Sequence, residues 1–187
     1  MATPTAAAPD ELEHLAASAE AIEVPKGFRV EIIEGKILVS PTPTGLHALL
    51  VMDVHDQIRA VAPSDLGSVD HVSLSLASTS QRYVPDLVVC QRSLLDSEEW
   101  LFPAAEALLV MEVTSPRNAE IDREIKPLGY ASEGVEHYLL IDRQKRLVTL
   151  SSGPENHTYQ FQTTVPFGKP LALPEPFAVE LDTTRFK

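Results

Sequence analysis

Residues 28–33, FRVEII, alternate apolar Phe28, Val30 and Ile32 with polar Arg29 and Glu31, the period-2 pattern of a half-buried strand. Glu34-Gly35 marks a turn, and KILVS (36–40) is the returning arm of a hairpin. PTPTG (41–45) breaks the chain. GLHALLVMDVHDQIRAV (45–61) then sets Leu46, Leu50, Val54, Ile58 and Val61 along one side of a helix. HVSLSLAS (71–78) alternates leucine and valine with serine, again strand-like, whereas VPDLVVC (84–90) and ALLVMEV (107–113) are apolar at both parities, as central strands are. Ile121, Ile125 and Leu128 form the stripe of a helix around 119–133. EHYLLID (136–142) and RLVTLSS (146–152) make a second hairpin, and HTYQFQT (157–163) and FAVEL (177–181) extend the sheet. Residues 10–21 form a short helix with Asp10 and Glu11 near its positive end, and the Ala-, Thr- and Pro-rich stretch 1–9 reads as a disordered tail. No segment repeats. The pattern predicts one domain over 10–187, built as a mixed sheet flanked by helices, α/β or α+β.

One position conflicts with its surroundings. Glu112 interrupts the apolar run 107–113, and an unpaired buried carboxylate is strongly disfavoured. A second acid, Asp86, opens the neighbouring buried strand after Pro85, and Lys126 lies on the helix that follows Glu112. Two carboxylates in adjacent apolar strands raise each other's pKa. A divalent cation reverses that effect, and magnesium or manganese, which takes one or two carboxylates and keeps several waters, suits the pair. Lys126 would then orient or deprotonate a water, or neutralise charge developing on phosphorus. More ordinary partners also exist: Arg82 or His47 for Glu112, and Asp122, four residues earlier, for Lys126. Pro127 predicts a kink at Lys126. Arg82 and Arg117 flank the two acidic strands and could grip phosphates. His47, near the start of its helix, could face the same cleft, and Tyr130 lies one turn beyond Lys126.

Composition narrows the classes. The net charge is −12, from 27 acidic and 15 basic residues, which argues against a broad basic nucleic-acid coat but not against a local cleft. Cys90 is the only cysteine, so a cysteine-cluster zinc site is excluded. The first twenty residues lack a basic start and an apolar core of a signal peptide, and no apolar run is long enough to span a bilayer. A soluble, cytoplasmic protein with no membrane partner is expected.

Several segments, taken in order, resemble the Uma-type restriction endonuclease family of the PD-(D/E)XK nuclease superfamily. VEIIEGKILVSPTPTGLH resembles its opening hairpin and following histidine. VPDLVVC carries the Pro-Asp, LLVMEVTSP the Glu and Ser-Pro, and DREIKPLGYASEGVEHYLLID the Asp-Lys-Tyr helix and next strand. PFGKPLALPEPFAVELD resembles the C-terminal hairpin. The resemblance implies a restriction-endonuclease-like α/β fold, a central mixed sheet flanked by helices with an N-terminal hairpin and a C-terminal β extension. It implies a magnesium- or manganese-dependent cut of DNA by Asp86, Glu112 and Lys126, with Asp86, Glu112 and the Val113 carbonyl as metal ligands. The superfamily lysine would stand at position 114, which here is Thr114, so the resemblance moves that role to Lys126. A homodimer suits the cutting of two strands. The alternative is a nuclease fold without turnover, acting as a binding or regulatory module.

Overall fold

The computed structural model describes residues 9–187, with side chains from His14 onward. The expected tail over 1–9 lies outside these residues apart from Pro9, which opens α1 (Pro9–Ala21). The first hairpin is as expected: β1 (Arg29–Ile33) and β2 (Lys36–Ser40) pair from Arg29–Ser40 to Ile33–Lys36. Its turn residues Glu34 and Gly35 have φ of 48° and 68°, as a type I′ turn requires at both positions. Thr44 caps α2 (Gly45–Val61) by accepting the His47 N–H. Leu50, Val54 and Ile58 form its buried stripe, while Val61 is exposed and His47 turns inward.

The remaining strands are β3 (Leu66–Val69), β4 (Ser73–Leu76), β5 (Gln81–Tyr83), β6 (Leu87–Gln91), β7 (Leu101–Pro103), β8 (Ala107–Val113), β9 (His137–Asp142), β10 (Leu147–Glu155), β11 (Thr158–Pro166), β12 (Leu171–Leu173) and β13 (Val179–Leu181). A four-residue helix, α3 (Arg92–Leu95), follows β6. Six strands form one sheet in the order β11-β10-β9-β8-β6-β3. It is mixed because β8 and β9 run parallel while the other neighbours are antiparallel. Five strands form a second sheet, β2-β1-β5-β4-β7. The second sheet was not foreseen, because β5 and β7 are three residues long and too short to display a period. The expectation that 177–181 extends the main sheet is corrected. Among the described residues, β13 pairs only with β12. Leu171, Leu173, Phe177 and Leu181 join the core with α2 and the six-stranded sheet.

Strand parity sorts the six-stranded sheet into two faces. Leu87, Val89, Leu109, Met111, Val113, Leu139 and Ile141 pack with α2 and the β12–β13 hairpin. Val88, Cys90, Val110, Tyr138 and Leu140 pack with the five-stranded sheet and with Tyr130. Asp86 and Glu112 share the parity of the second set, so both carboxylates lie on the side that the second sheet covers.

The connection from β8 to β9 carries Lys126. Ile121–Ile125 is wound as a π-turn, and α4 (Lys126–Ser132) continues it. The Lys126 N–H bonds to the Ile121 carbonyl, five residues back. Pro127 has no N–H to give, and its ring would crowd the carbonyl four residues earlier in a regular helix. The widened turn absorbs both problems. The expected kink at Lys126 is therefore replaced by a π-turn, and Lys126 itself is helical, with φ −60° and ψ −41°. Gly129 lets α4 sit close on the second sheet, since a Cβ there would lie 2.6 Å from the Tyr83 hydroxyl and 2.9 Å from Leu76 Cδ2. Gly129→Ala should accordingly destabilise the protein by about 1–3 kcal/mol, measurable by urea titration. A neutral result would mean that α4 has slack.

Candidate active site

A cleft of about 320 Å³ is walled by β1 and β2, the 41–44 loop, the Asp86 bend, the end of β8 and the helix that carries Lys126. The partner that Glu112 requires within the protein is Lys126: Nζ donates to Glu112 Oε1 at 2.8 Å. The Tyr130 hydroxyl donates to the same oxygen at 3.1 Å. Lys126 also lies 2.9 Å from Glu31 Oε1 and 3.6 Å from Asp122 Oδ1. Glu31, Glu112 and Lys126 are each 3% exposed. Lys126 is thus far from a solvated surface lysine.

Asp86 stands at the bend that leads into β6, anchored by its own N–H to the Met111 carbonyl. Arg29 Nη1 donates to Asp86 Oδ1 at 2.7 Å, and the Val113 N–H donates to Oδ2 at 2.9 Å. His47 Nε2 is 3.0 Å from Oδ2, yet it is badly aligned for a hydrogen bond and has no bonded partner.

The two acids expected to raise each other's pKa behave differently. Burial alone would push the Asp86 carboxyl up. His47, Arg29 and the Val113 N–H outweigh it and hold the pKa at about 2. Burial also pushes Glu112 up, and here it wins: Lys126 opposes it, but Asp122, Asp86 and Glu31 add repulsion. Asp122 rises to about 6 through burial, against the pull of Lys126 and with the push of Asp86 and Glu31. Burial disfavours the charged form of Lys126, but Glu112, Glu31 and Asp122 overcome it and hold the ammonium well above the ordinary lysine range. Lys126 is therefore held as an ammonium.

Four carboxylates are buried at the cleft floor, against one buried lysine and the partly buried Arg29. This surplus of negative charge tests whether a divalent cation fits. No group of three His, Cys, Asp or Glu side chains among the described residues is placed to hold an ion alone. Magnesium asks for less, one or two carboxylates completed by water. Both hydrogen bonds that Glu112 accepts from Lys126 and Tyr130 go to Oε1, not Oε2. The donors are hard oxygens in an electron-rich pocket, and the residues fit the ion.

The other expected residues are divided. Val113 and Arg117 line the cleft, Arg117 exposed at its rim. Arg82 lies outside it, pairing with Glu20 at 3.1 Å and stacking 4.9 Å from the Trp100 ring centre. Thr114 fills the superfamily lysine position; it is buried and accepts the Arg143 N–H at 3.0 Å. Four residues were missed: Arg29, Glu31, Asp122 and Arg143. The alternation in 28–33 marks Arg29 and Glu31 as the polar face of β1. The clue was Ile33, which shares their parity and is buried, so that face was never a solvent face. The sequence marks Asp122 only as an ion-pair partner for Lys126. Arg143 follows a strand end, and its Nε is buried without a hydrogen-bond partner.

A crystal structure described as "a putative nuclease belonging to DUF820", from Anabaena variabilis ATCC 29413, has the same fold, with a TM-score of 0.71 at 20% identity. The match covers 94% of this chain and 96% of that one. No curated protein matches the chain. The family model Uma2, described as "Putative restriction endonuclease", matches residues 10–184, and the chain belongs to this family. Family and fold together support a nuclease function.

Neutralising the two central acids should have opposite effects. The folded pKa of Asp86 lies below the carboxylate reference, so its ionised form stabilises the fold above pH ~4, and this is lost as pH falls toward ~2. Asp86→Asn should cost on the order of 2 kcal/mol at pH 7. Glu112 and Asp122 lie above the reference, so their ionisation opposes folding. For Asp122 the penalty develops as pH rises from ~4 to ~6. Glu112→Gln should therefore raise Tm in metal-free buffer at pH 7. A fall in Tm for both variants would show that pairing, not repulsion, dominates at Glu112.

Proposed function

We propose that the protein is a magnesium- or manganese-dependent endonuclease that hydrolyses phosphodiester bonds in DNA. The observation that carries this function is the gathering of Asp86, Glu112 and a charged Lys126 at the floor of one cleft with excess negative charge. When bound, the cation would polarise the phosphate and lower the pKa of the attacking water. Asp86 and Glu112 would hold it, with the Val113 carbonyl as a third ligand.

The protein's own groups divide the remaining work. Arg29 and the Val113 N–H fix the Asp86 carboxylate in one orientation. Tyr130 and Lys126 hold Glu112 through one oxygen and leave the other to the cleft. The Lys126 ammonium, unable to shed its proton at neutral pH, offsets charge that develops on the phosphoryl oxygens. Glu31 keeps Lys126 in place from the opposite side while accepting the Val84 N–H at 2.9 Å. At the rim Arg117 and Arg143 meet the flanking phosphates. The acidic floor and basic rim suit a substrate that brings its own negative charge to a bound cation. A homodimer placing two such clefts on two strands, and a cytoplasmic location, complete the proposal. Among the described residues no helix is long and apolar enough to cross a membrane.

The decisive variant is Lys126→Ala. It should reduce cutting by ~10²–10³-fold in protein that circular dichroism shows to be folded and that still binds manganese by calorimetry. Asp86→Asn and Glu112→Gln should weaken manganese binding itself. Wild-type protein that binds manganese but never nicks plasmid DNA would favour a binding or regulatory module. A normal cutting rate for Lys126→Ala would remove the lysine from the mechanism.

A further inference from the structure

A second cavity, of about 260 Å³, adjoins the cleft, and Arg29, His47 and Asp86 line both. Four buried side-chain atoms among the described residues have no hydrogen-bond partner: Arg29 Nε, His47 Nε2, Ser68 Oγ and Arg143 Nε. Three of them belong to residues that line this second cavity. His47 Nε2 still lies 3.0 Å from Asp86 Oδ2 and Arg29 pairs with Asp86 through Nη1, so of the three the Ser68 hydroxyl is the one with no polar company, and buried polar groups are nearly always paired. The lining also includes the apolar Val51, Met52, Pro85 and Leu87. Apolar walls with a few unsatisfied polar groups are the usual make-up of a site for a small organic group.

We propose that this cavity is a nucleobase subsite, which receives the base of a nucleotide next to the scissile phosphate. The proposal rests on the nuclease reading and deepens it. Three chemical observations select a neutral heterocycle. The Arg29 guanidinium is already paired with Asp86, and exposed Asp70 stands on the lining, so an anion is disfavoured. His47, His55 and His71 all line the cavity, yet no metal-holding group exists among the described residues. His55 Nε2 lies 3.0 Å from the Ser68 carbonyl, so that nitrogen carries the proton and cannot ligate. A flat ring with donor and acceptor edges suits what remains, the apolar side chains of Val51, Met52 and Pro85 beside a Ser68 hydroxyl that turns between staggered positions. Because the two cavities share a wall, a base here leaves its phosphate at the mouth of the acidic cleft.

The test is a titration of the full chain with each of the four deoxynucleosides, followed by amide NMR shifts. At least one should bind saturably in the millimolar range and move the amides of Val51, Ser68 and Leu87. Ser68→Val should keep the thermal stability, because the hydroxyl it removes has no partner, and should weaken binding by about fivefold. Ala48→Trp, which fills the cavity from an exposed position on α2, should abolish it. The subsite is overturned if no deoxynucleoside moves these amides, if binding survives in folded Ala48→Trp, or if Ser68→Val binds as well as the wild type. The two readings fail separately. Deoxynucleoside binding without DNA cutting sinks the nuclease and leaves the subsite, whereas cutting without such binding sinks only the subsite.

Discussion

The molecule is organised around one buried ammonium. Lys126 enters the space between the two sheets and finds three carboxylates there. None of these charges would be stable at such burial alone. The carboxylates of Glu112, Glu31 and Asp122 hold the ammonium charged against the cost of its burial. The hairpin that supplies Glu31, the central strand that supplies Glu112 and the helix that supplies Lys126 are thereby fixed relative to one another by electrostatics as well as by packing. The π-turn belongs to the same constraint, since it lets a proline follow Lys126 without breaking the helix.

The balance is deliberately incomplete in physical terms. One lysine and one arginine do not neutralise four carboxylates in a poorly solvated space. The residual charge shows as raised pKa values at Glu112 and Asp122, while Asp86, with its own donors, escapes it. Two acids that look equivalent in the chain thus have different characters. One is a permanently ionised, well-oriented carboxylate. The other ionises readily only if a further positive charge arrives.

Much of this was legible in the sequence. Glu112 stood out because apolar neighbours at both parities leave no solvent-facing side, and Asp86 and Lys126 followed from the need for company. The two central strands could be read from unbroken apolar runs, and α2 and the first hairpin because each spans enough residues to show its period. Arg29 and Glu31 could not, because alternation states which residues share a face but not what covers that face, and a second sheet does so here. The short strands β5 and β7 that build this cover carry almost no local signal. Arg82 misled for a related reason: its position beside the Asp86 strand was right, but its side chain turns toward α1 and Trp100.

The elements that meet at Lys126 are far apart along the chain, with Glu31 and Lys126 separated by most of the domain's first two-thirds. Their charges remain hydrated until the hairpin closes over the end of β8. Bringing them together therefore carries both the desolvation of the charges and the entropy of a long loop closure. A chain that has formed its hydrophobic sheet but not this closure holds hydrated, separated acids and no assembled centre. The cleft and its charges therefore exist only in the finished topology, and a chain with its strands formed but this closure missing has no site at all.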